Sequence, residues 1–253
     1  MKKILIVGGA GGIGLSMTVI LTGRDSVEKV YVVDKAPFPP AYLTEKVEYH
    51  RFDLVSEDYS IFDSFQDIDT LIITAGFGKL ALFKDIDEAL ISSYFNVNTI
   101  PVLRIIKHFY DKLLGADDFY CGVMVSIAGF MSSPFFSVYG ATKAALKIFI
   151  ESINVELEKA GSTNRVLNVS PGSIKGTGFT GGQTNLDDLN VLGTSILSEI
   201  EKKNDLFIPQ YDTVYQEVLR RYQKDFRAEG RHSYDYKLNS GRTENITSKV
   251  LKR

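Results

Sequence analysis

Apolar residues follow two rhythms along this chain. Short runs at residues 4–7, 30–34, 47–52, 70–74, 122–127 and 166–169 are mostly apolar and β-branched, without strict alternation of polar positions. That pattern predicts strands covered on both faces, as in a parallel sheet. Between them lie stretches with apolar positions three and four apart. Residues 12–23 put Ile13, Met17, Ile20 and Leu21 on one stripe. Residues 87–114 make a long helical pattern with Pro101 inside it, where a break is expected. Residues 138–159 make another, closed by Gly161 as a C-cap. Strands alternating with helices predict an α/β fold: one domain over residues 1–253, with a doubly wound, mostly parallel sheet and helices on both faces.

The rhythm changes after Gly172. Residues 173–185 carry Gly176, Gly178, Gly181 and Gly182, and are expected to form a mobile loop. Residues 186–203 and 211–226 carry helical patterns. Residues 228–253 are polar and are expected to be irregular, with a frayed tail from Lys249. No seventh apolar run stands out.

Composition narrows the function. A chain of 253 residues can bury a large core with no disulfide or metal staple. Lys and Arg number 29 and Asp and Glu 31, a net charge of −2. That balance disfavours nucleic acid as a partner. The one cysteine, Cys121, can form neither an internal disulfide nor a Cys-rich zinc site, and a cytoplasmic location is expected. No apolar run reaches the ~20 residues of a membrane span. The run after Met1-Lys2-Lys3 is too short for a secretory signal. His50, His108 and His232 are dispersed, and no metal is expected.

The first strand runs into Val7-Gly8-Gly9-Ala10-Gly11-Gly12-Ile13-Gly14, and a helix follows. A strand, a tight glycine turn and a helix N-terminus together offer backbone N–H groups and a positive helix end to a pyrophosphate. Gly8, Gly11, Gly12, Ile13 and Gly14 are therefore candidate cofactor contacts. About twenty residues on, the second strand ends in Asp34, whose carboxylate can accept both hydroxyls of an adenosine ribose and would repel a 2′-phosphate. A plain tight turn and a methyltransferase remain alternatives at this point. The spacing is also open: glycines 8, 12 and 14 fit GxxxGxG, and glycines 8, 11 and 14 fit GxxGxxG. Asp34 favours NAD over NADP, although Lys35 beside it could accommodate a 2′-phosphate.

Tyr139 and Lys143 lie four apart on the helix predicted over 138–159, so they share a face. A free phenol, with a pKa of ~10, is a poor acid or base at neutral pH. A nearby ammonium lowers that value. Such a tyrosine can exchange a proton with a carbonyl or alcohol oxygen while hydride moves at carbon.

With these motifs in order, residues 2–180 resemble the short-chain dehydrogenase/reductase family, which has a Rossmann fold. Val7–Gly14 is similar to its TGxxxGIG loop, with Val7 for Thr. Asp53, followed by Leu54, matches its adenine-contacting Asp. Thr74-Ala75-Gly76 is similar to NAG, with Thr74 for Asn. Asn98 falls at its active-site Asn, and Ser126 lies thirteen residues before Tyr139. Tyr139-Gly140-Ala141-Thr142-Lys143 resembles YxASK, and Pro171-Gly172 resembles its PG. The resemblance implies that Tyr139 is the acid/base and that Lys143 binds the nicotinamide ribose and tunes Tyr139. It implies that Ser126 holds the substrate oxygen and that Asn98 holds a water beside Lys143. Ala75, Gly76, Pro171 and Gly172 would line the cofactor.

Two departures stand out. Gly176 occupies the family's nicotinamide-contacting Thr position, so that contact falls to Thr177 or to Ile174 backbone groups. The family's usual seventh strand and C-terminal motif are not visible. Residues 173–227 are then the substrate loop and helices, with Phe77, Phe130, Met131, Phe135, Phe136 and Phe179 as an apolar wall. The expected substrate is a small alcohol or ketone. A homodimer or homotetramer built on the helices at 87–114 and 138–159 is expected. The GxxGxxG reading keeps a nucleotide-sugar epimerase or dehydratase as an alternative. A non-catalytic NAD-binding regulator is another.

Overall fold

The computed structural model describes residues 1–177, 179 and 183–240. Strand β1 (Lys3–Val7) sits centrally because both its faces are apolar. Ile4 and Ile6 point to one side of the sheet. There they meet Leu15, Met17 and Leu21 of α1 (Gly12–Thr22) and Ile196, Leu197 and Ile200 of α6 (Leu186–Glu201). Leu5 and Val7 point to the other side. There they meet Val102, Ile105 and Ile106 of α3 (Ile100–His108) and Leu146, Ile150 and Leu157 of α5 (Ser137–Lys159). The remaining strands are β2 (Lys29–Asp34), β3 (Val47–Arg51), β4 (Thr70–Ile73), β5 (Tyr120–Met124), β6 (Val166–Val169) and β7 (Leu206–Phe207). All pair in parallel in the order β3-β2-β1-β4-β5-β6-β7. The order reverses between β1 and β4, which opens a crevice at their C-terminal ends.

The pattern at 87–114 resolves into α2 (Glu88–Asn98), α3 and α4 (Tyr110–Leu114). The first break is at Thr99 (φ −121°, ψ −63°), just before Pro101 in the opening turn of α3. By length and composition alone Glu88–His108 would pass for a membrane span, with mean hydropathy 1.2. Its Val102, Ile105 and Ile106 belong to the core instead. Gly161 (φ +83°) ends α5 as expected, and Ser162 N–H donates back to the Leu157 carbonyl at 3.0 Å.

The C-terminal third corrects the sequence reading. A seventh strand is present. β7 escapes notice because two residues are too short to make a pattern. It is held by Ser170 N–H donating to the Phe207 carbonyl at 2.8 Å. The stretch 211–226 is not one helix. A wide turn at Tyr211–Tyr215 leads into α7 (Gln216–Lys224), and the chain breaks at Asp225. Asp225 then caps α8 (Phe226–Asn239), accepting N–H groups from Arg227 and Ala228, where an irregular segment was expected. Residues 178 and 180–182 of the glycine-rich loop, and the tail at 241–253, lie outside the described residues.

Candidate active site

The glycine loop is shaped by its neighbours. Gly8 (φ +92°) passes so close to the end of β4 that a Cβ would strike the Ala75 backbone nitrogen. A Cβ on Gly14 would strike the Gly8 carbonyl oxygen. Gly12 takes φ +53°. The conformational demand therefore falls on 8, 12 and 14, the GxxxGxG set. Gly11 and Gly12 face space instead: the nearest atoms to their missing Cβ are Thr184 Oγ1 at 3.8 Å and Thr177 at 3.9 Å. Helix α1 starts here with no side-chain cap from Gly11 and no acidic residue in its first turn. A positive helix end thus faces a cradle that a side chain would fill, which suits a pyrophosphate. Ile13 packs beneath this turn against the α1 side of the core.

Asp34, the candidate ribose residue, stands at the end of β2 beside the loop. Its Oδ2 accepts Ala10 N–H at 3.0 Å and its Oδ1 accepts Ala36 N–H at 3.0 Å, which holds the carboxylate across the loop. Lys35 turns away from it and pairs with Asp53 at 2.7 Å, and that hydrogen bond lowers the Asp53 pKa. The neighbouring Leu54 packs against the core, and its carbonyl accepts the Tyr59 hydroxyl at 2.7 Å.

At the mouth of the crevice, Thr74 and Ala75 donate their N–H groups to the Val7 carbonyl at 2.8 and 3.1 Å. Gly76 follows. A Cβ on it would come within 3.2 Å of Asn98 Oδ1 and 3.5 Å of Lys143 Nζ, so three predicted site residues converge there. Asn98, fully buried at the end of α2, grips Phe77 by both backbone groups: its Oδ1 accepts the N–H and its Nδ2 donates to the carbonyl, each at 2.9 Å. Its Nδ2 also donates to Thr142 Oγ1 at 3.4 Å.

β5 ends at Met124, earlier than the sequence pattern suggests, and Ser126 sits beyond it at the head of a short turn. Ser126 Oγ accepts Ala128 N–H at 3.1 Å and donates to the Pro171 carbonyl at 3.4 Å. It also hydrogen-bonds the Tyr139 hydroxyl. Tyr139 and Lys143 are one turn apart on α5, with Lys143 Nζ 5.7 Å from the Tyr139 ring centre and donating to the Met124 carbonyl at 2.9 Å. Burial dominates both groups. It pushes the Tyr139 phenol up to about 12, against the opposing Ser126 hydrogen bond, and pulls Lys143 down to about 8. The expected lowering of the phenol by the Lys143 ammonium is not found: burial sets both values, because desolvation penalises both charged forms.

Gly172 carries the Tyr215 hydroxyl where its Cβ would be. Gly176 (φ +74°) makes the turn that displaces the expected threonine by one. Thr177 then lies over Gly12, its hydroxyl donating to the Ile174 carbonyl at 3.2 Å. Thr184 Oγ1 accepts Gly12 N–H at 2.9 Å. Of the expected wall, Phe136 and Phe179 contact Tyr139, with ring centres 5.3 and 5.2 Å away. Phe77 stacks on Tyr94 at 4.6 Å in the same cluster. Phe130 instead lies under Lys147, and Phe135 packs on Tyr234 of α8. Met131 is half-buried.

The profile of the family described as short chain dehydrogenase matches residues 2–186. The chain belongs to this family. Its Rossmann fold with a glycine cradle at the β1–α1 turn is a short-chain dehydrogenase architecture. Dehydrogenase RED2 of Cochliobolus heterostrophus is 25% identical over 170 residues, covering 64% of this chain and 63% of that protein. An uncharacterized oxidoreductase of Staphylococcus epidermidis is 23% identical over 182 residues, covering 68% and 78%. Among solved structures, a short chain dehydrogenase from Burkholderia cenocepacia in complex with NADP aligns with a TM-score of 0.75 and 20% identity, over 92% of this chain and 99% of that one. One from Burkholderia phymatum in complex with NAD aligns with a TM-score of 0.74 and 17% identity, over 90% and 95%. At these identities the structures support the fold alone.

Sequence reasoning missed Thr184, whose distance from the loop hides its contact with Gly12, and Tyr94. The Tyr94 hydroxyl accepts Lys79 N–H at 2.9 Å and donates to the Lys79 carbonyl at 3.2 Å. Its place four residues before Asn98, on the same face of α2, was the available signal.

Proposed function

We propose that this short-chain dehydrogenase is an oxidoreductase that moves hydride between NAD(H) and an apolar alcohol or ketone. The observation that carries the reading is the convergence of Ser126, Tyr139 and Lys143 beside the glycine cradle. The nicotinamide cofactor, when bound, supplies or takes the hydride. The chain's own residues handle the oxygen and its proton. Ser126 Oγ, turning its hydroxyl away from the Pro171 carbonyl, donates to the substrate oxygen as charge develops there. Tyr139 is held as a phenol, so it gives its proton to that oxygen as the carbonyl carbon is reduced. Lys143, brought near neutrality by burial, can exchange a proton at ordinary pH and so restore the phenol. In the reverse direction the same proton returns to Tyr139.

Gly8, Gly11, Gly12 and Gly14 would carry the pyrophosphate, and Asp34 the adenosine ribose, which favours NAD over NADP. Asp53 and Leu54 would flank the adenine. Ala75, Gly76, Pro171, Gly172 and Ile174 would line the nicotinamide half. The Phe136–Tyr139–Phe179 cluster supports an apolar substrate. Exposed Ile100, Ile148 and Val155 on α3 and α5 support a homo-oligomer through those helices. The test is oxidation of NADH, repeated with NADPH, against ketones and aldehydes, with Tyr139→Phe as control. Equal turnover by the variant would remove the catalytic assignment.

A further inference from the structure

We propose that α8 is a structural support of the active site and that Lys237 is its positioning residue. It would hold the β5–α5 connection so that Phe136 and the first turn of α5 seat Tyr139. The inference rests on the role of Tyr139 proposed above.

Lys237 is nearly fully buried. An ammonium in that setting needs hydrogen bonds. Its Nζ donates to Ser133 Oγ at 2.9 Å, to the Pro134 carbonyl at 2.7 Å and to Ser233 Oγ at 3.2 Å. Two of these three acceptors belong to the connection that leads into α5, about a hundred residues earlier in the chain. The same ammonium lies 5.5 Å over the Phe136 ring.

The segment it grips needs holding. Phe135 has φ +66°, in the left-handed region that bulky residues rarely adopt. Such a conformation persists only where the surroundings over-determine it. Here the Phe135 carbonyl accepts Ala81 N–H at 2.9 Å, and its ring packs 4.7 Å from Tyr234 of α8. One turn earlier on α8, Gly230 lets Ser132 approach, to 3.1 Å from where a Cβ would stand.

The strained residue sits directly before the chemistry. Phe136 precedes α5, and its carbonyl accepts Gly140 N–H at 2.6 Å. Its ring meets the Tyr139 ring. Contact therefore runs from α8 through residues 132–136 to the phenol. α8 is itself tied to α7 by the Arg221–Glu229 pair at 2.7 Å.

Hydrogen exchange with the full chain tests this, using Lys237→Met, Tyr234→Ala and the conservative Tyr234→Phe, with far-ultraviolet circular dichroism to establish folding. In Lys237→Met and Tyr234→Ala, amides at 132–140 should exchange about tenfold faster, while the glycine loop and NADH affinity stay as in the wild type. Tyr234→Phe should behave as the wild type. For carbonyl reduction, kcat should fall about tenfold or more in the first two variants with KM for NADH unchanged. Unchanged exchange at 132–140 in both variants overturns the proposal, and so does faster exchange with unchanged kcat. A wild type that reduces no carbonyl overturns the proposed function instead, and exchange alone then decides whether α8 supports the segment.

Discussion

β1 and the C-terminal helices bury their side chains in opposite ways. In β1, Ile4, Leu5, Ile6 and Val7 are all but inaccessible, four apolar residues in succession. In α7 no residue is buried, and in α8 the buried ones are Glu229, Gly230 and Lys237. The first region is held by apolar area, which is non-directional and tolerant of detail. The second is held by a few directed contacts: an ion pair, a buried ammonium, one ring on another. The framework can therefore be read from periodicity, and the C-terminal wall cannot. Losses in the framework site should be large, and losses of stability at the wall small and local.

The largest expected effect is in the framework. Tyr139→Phe should lower turnover by about 10²- to 10⁴-fold, read by NADH oxidation, and leave NADH binding in place. An effect below tenfold would break the comparison. Next comes a gain. Burial holds Lys143 near 8, below its ordinary 10.5, so the unfolded chain binds more protons than the folded one between those values. The penalty is full below pH 8 and fades as pH rises towards 10.5. Lys143→Met should therefore be inactive yet more stable at pH 7, by up to about 3 kcal/mol. That gap should close by pH 10.5 in chemical denaturation. Asp34→Ser should shift the kcat/KM preference towards NADPH by about tenfold, about 1.4 kcal/mol, measured with both cofactors. Smallest is Arg221→Met at the wall. Arg221 is open to solvent, which screens its pairing with Glu229, so the loss of stability read by chemical denaturation should be small. A loss near that of a core truncation, about 2–5 kcal/mol, would show that the wall is not held as lightly as its surface suggests.

The legibility of the chain follows the same division. Strands β1, β2, β4, β5 and β6 announced themselves because burial on both faces leaves little room for polar residues, whereas edge strand β3 keeps Glu48, His50 and Arg51 and buries Val47 alone. The glycine loop, Asp34, Tyr139 and Lys143 were readable because each depends on local order: a turn, a strand end, one helical face. Partners across the chain were not. Nothing in the spacing of Thr184 or Lys237 points to Gly12 or Pro134, since such contacts exist only once the sheet has brought them together. Phe130 and Phe135 were placed at the wall by composition, and the left-handed turn at Phe135 sends its ring to α8 instead. The pKa of Tyr139 depends on burial, a property of the folded molecule that helical spacing does not carry.

The pairing of β1 with β4 has a consequence for how the protein comes into being. During synthesis β1, β2 and β3 precede β4 in the chain, so one flank of β1 has no strand to pair with until Thr70–Ile73 has been made. Gly8 and Ala75 form each other's wall, so the cradle is absent until that seam is zipped. The chain thus shapes its proposed cofactor cradle in the same event that closes its centre, and a ligand bound there would favour the completed assembly.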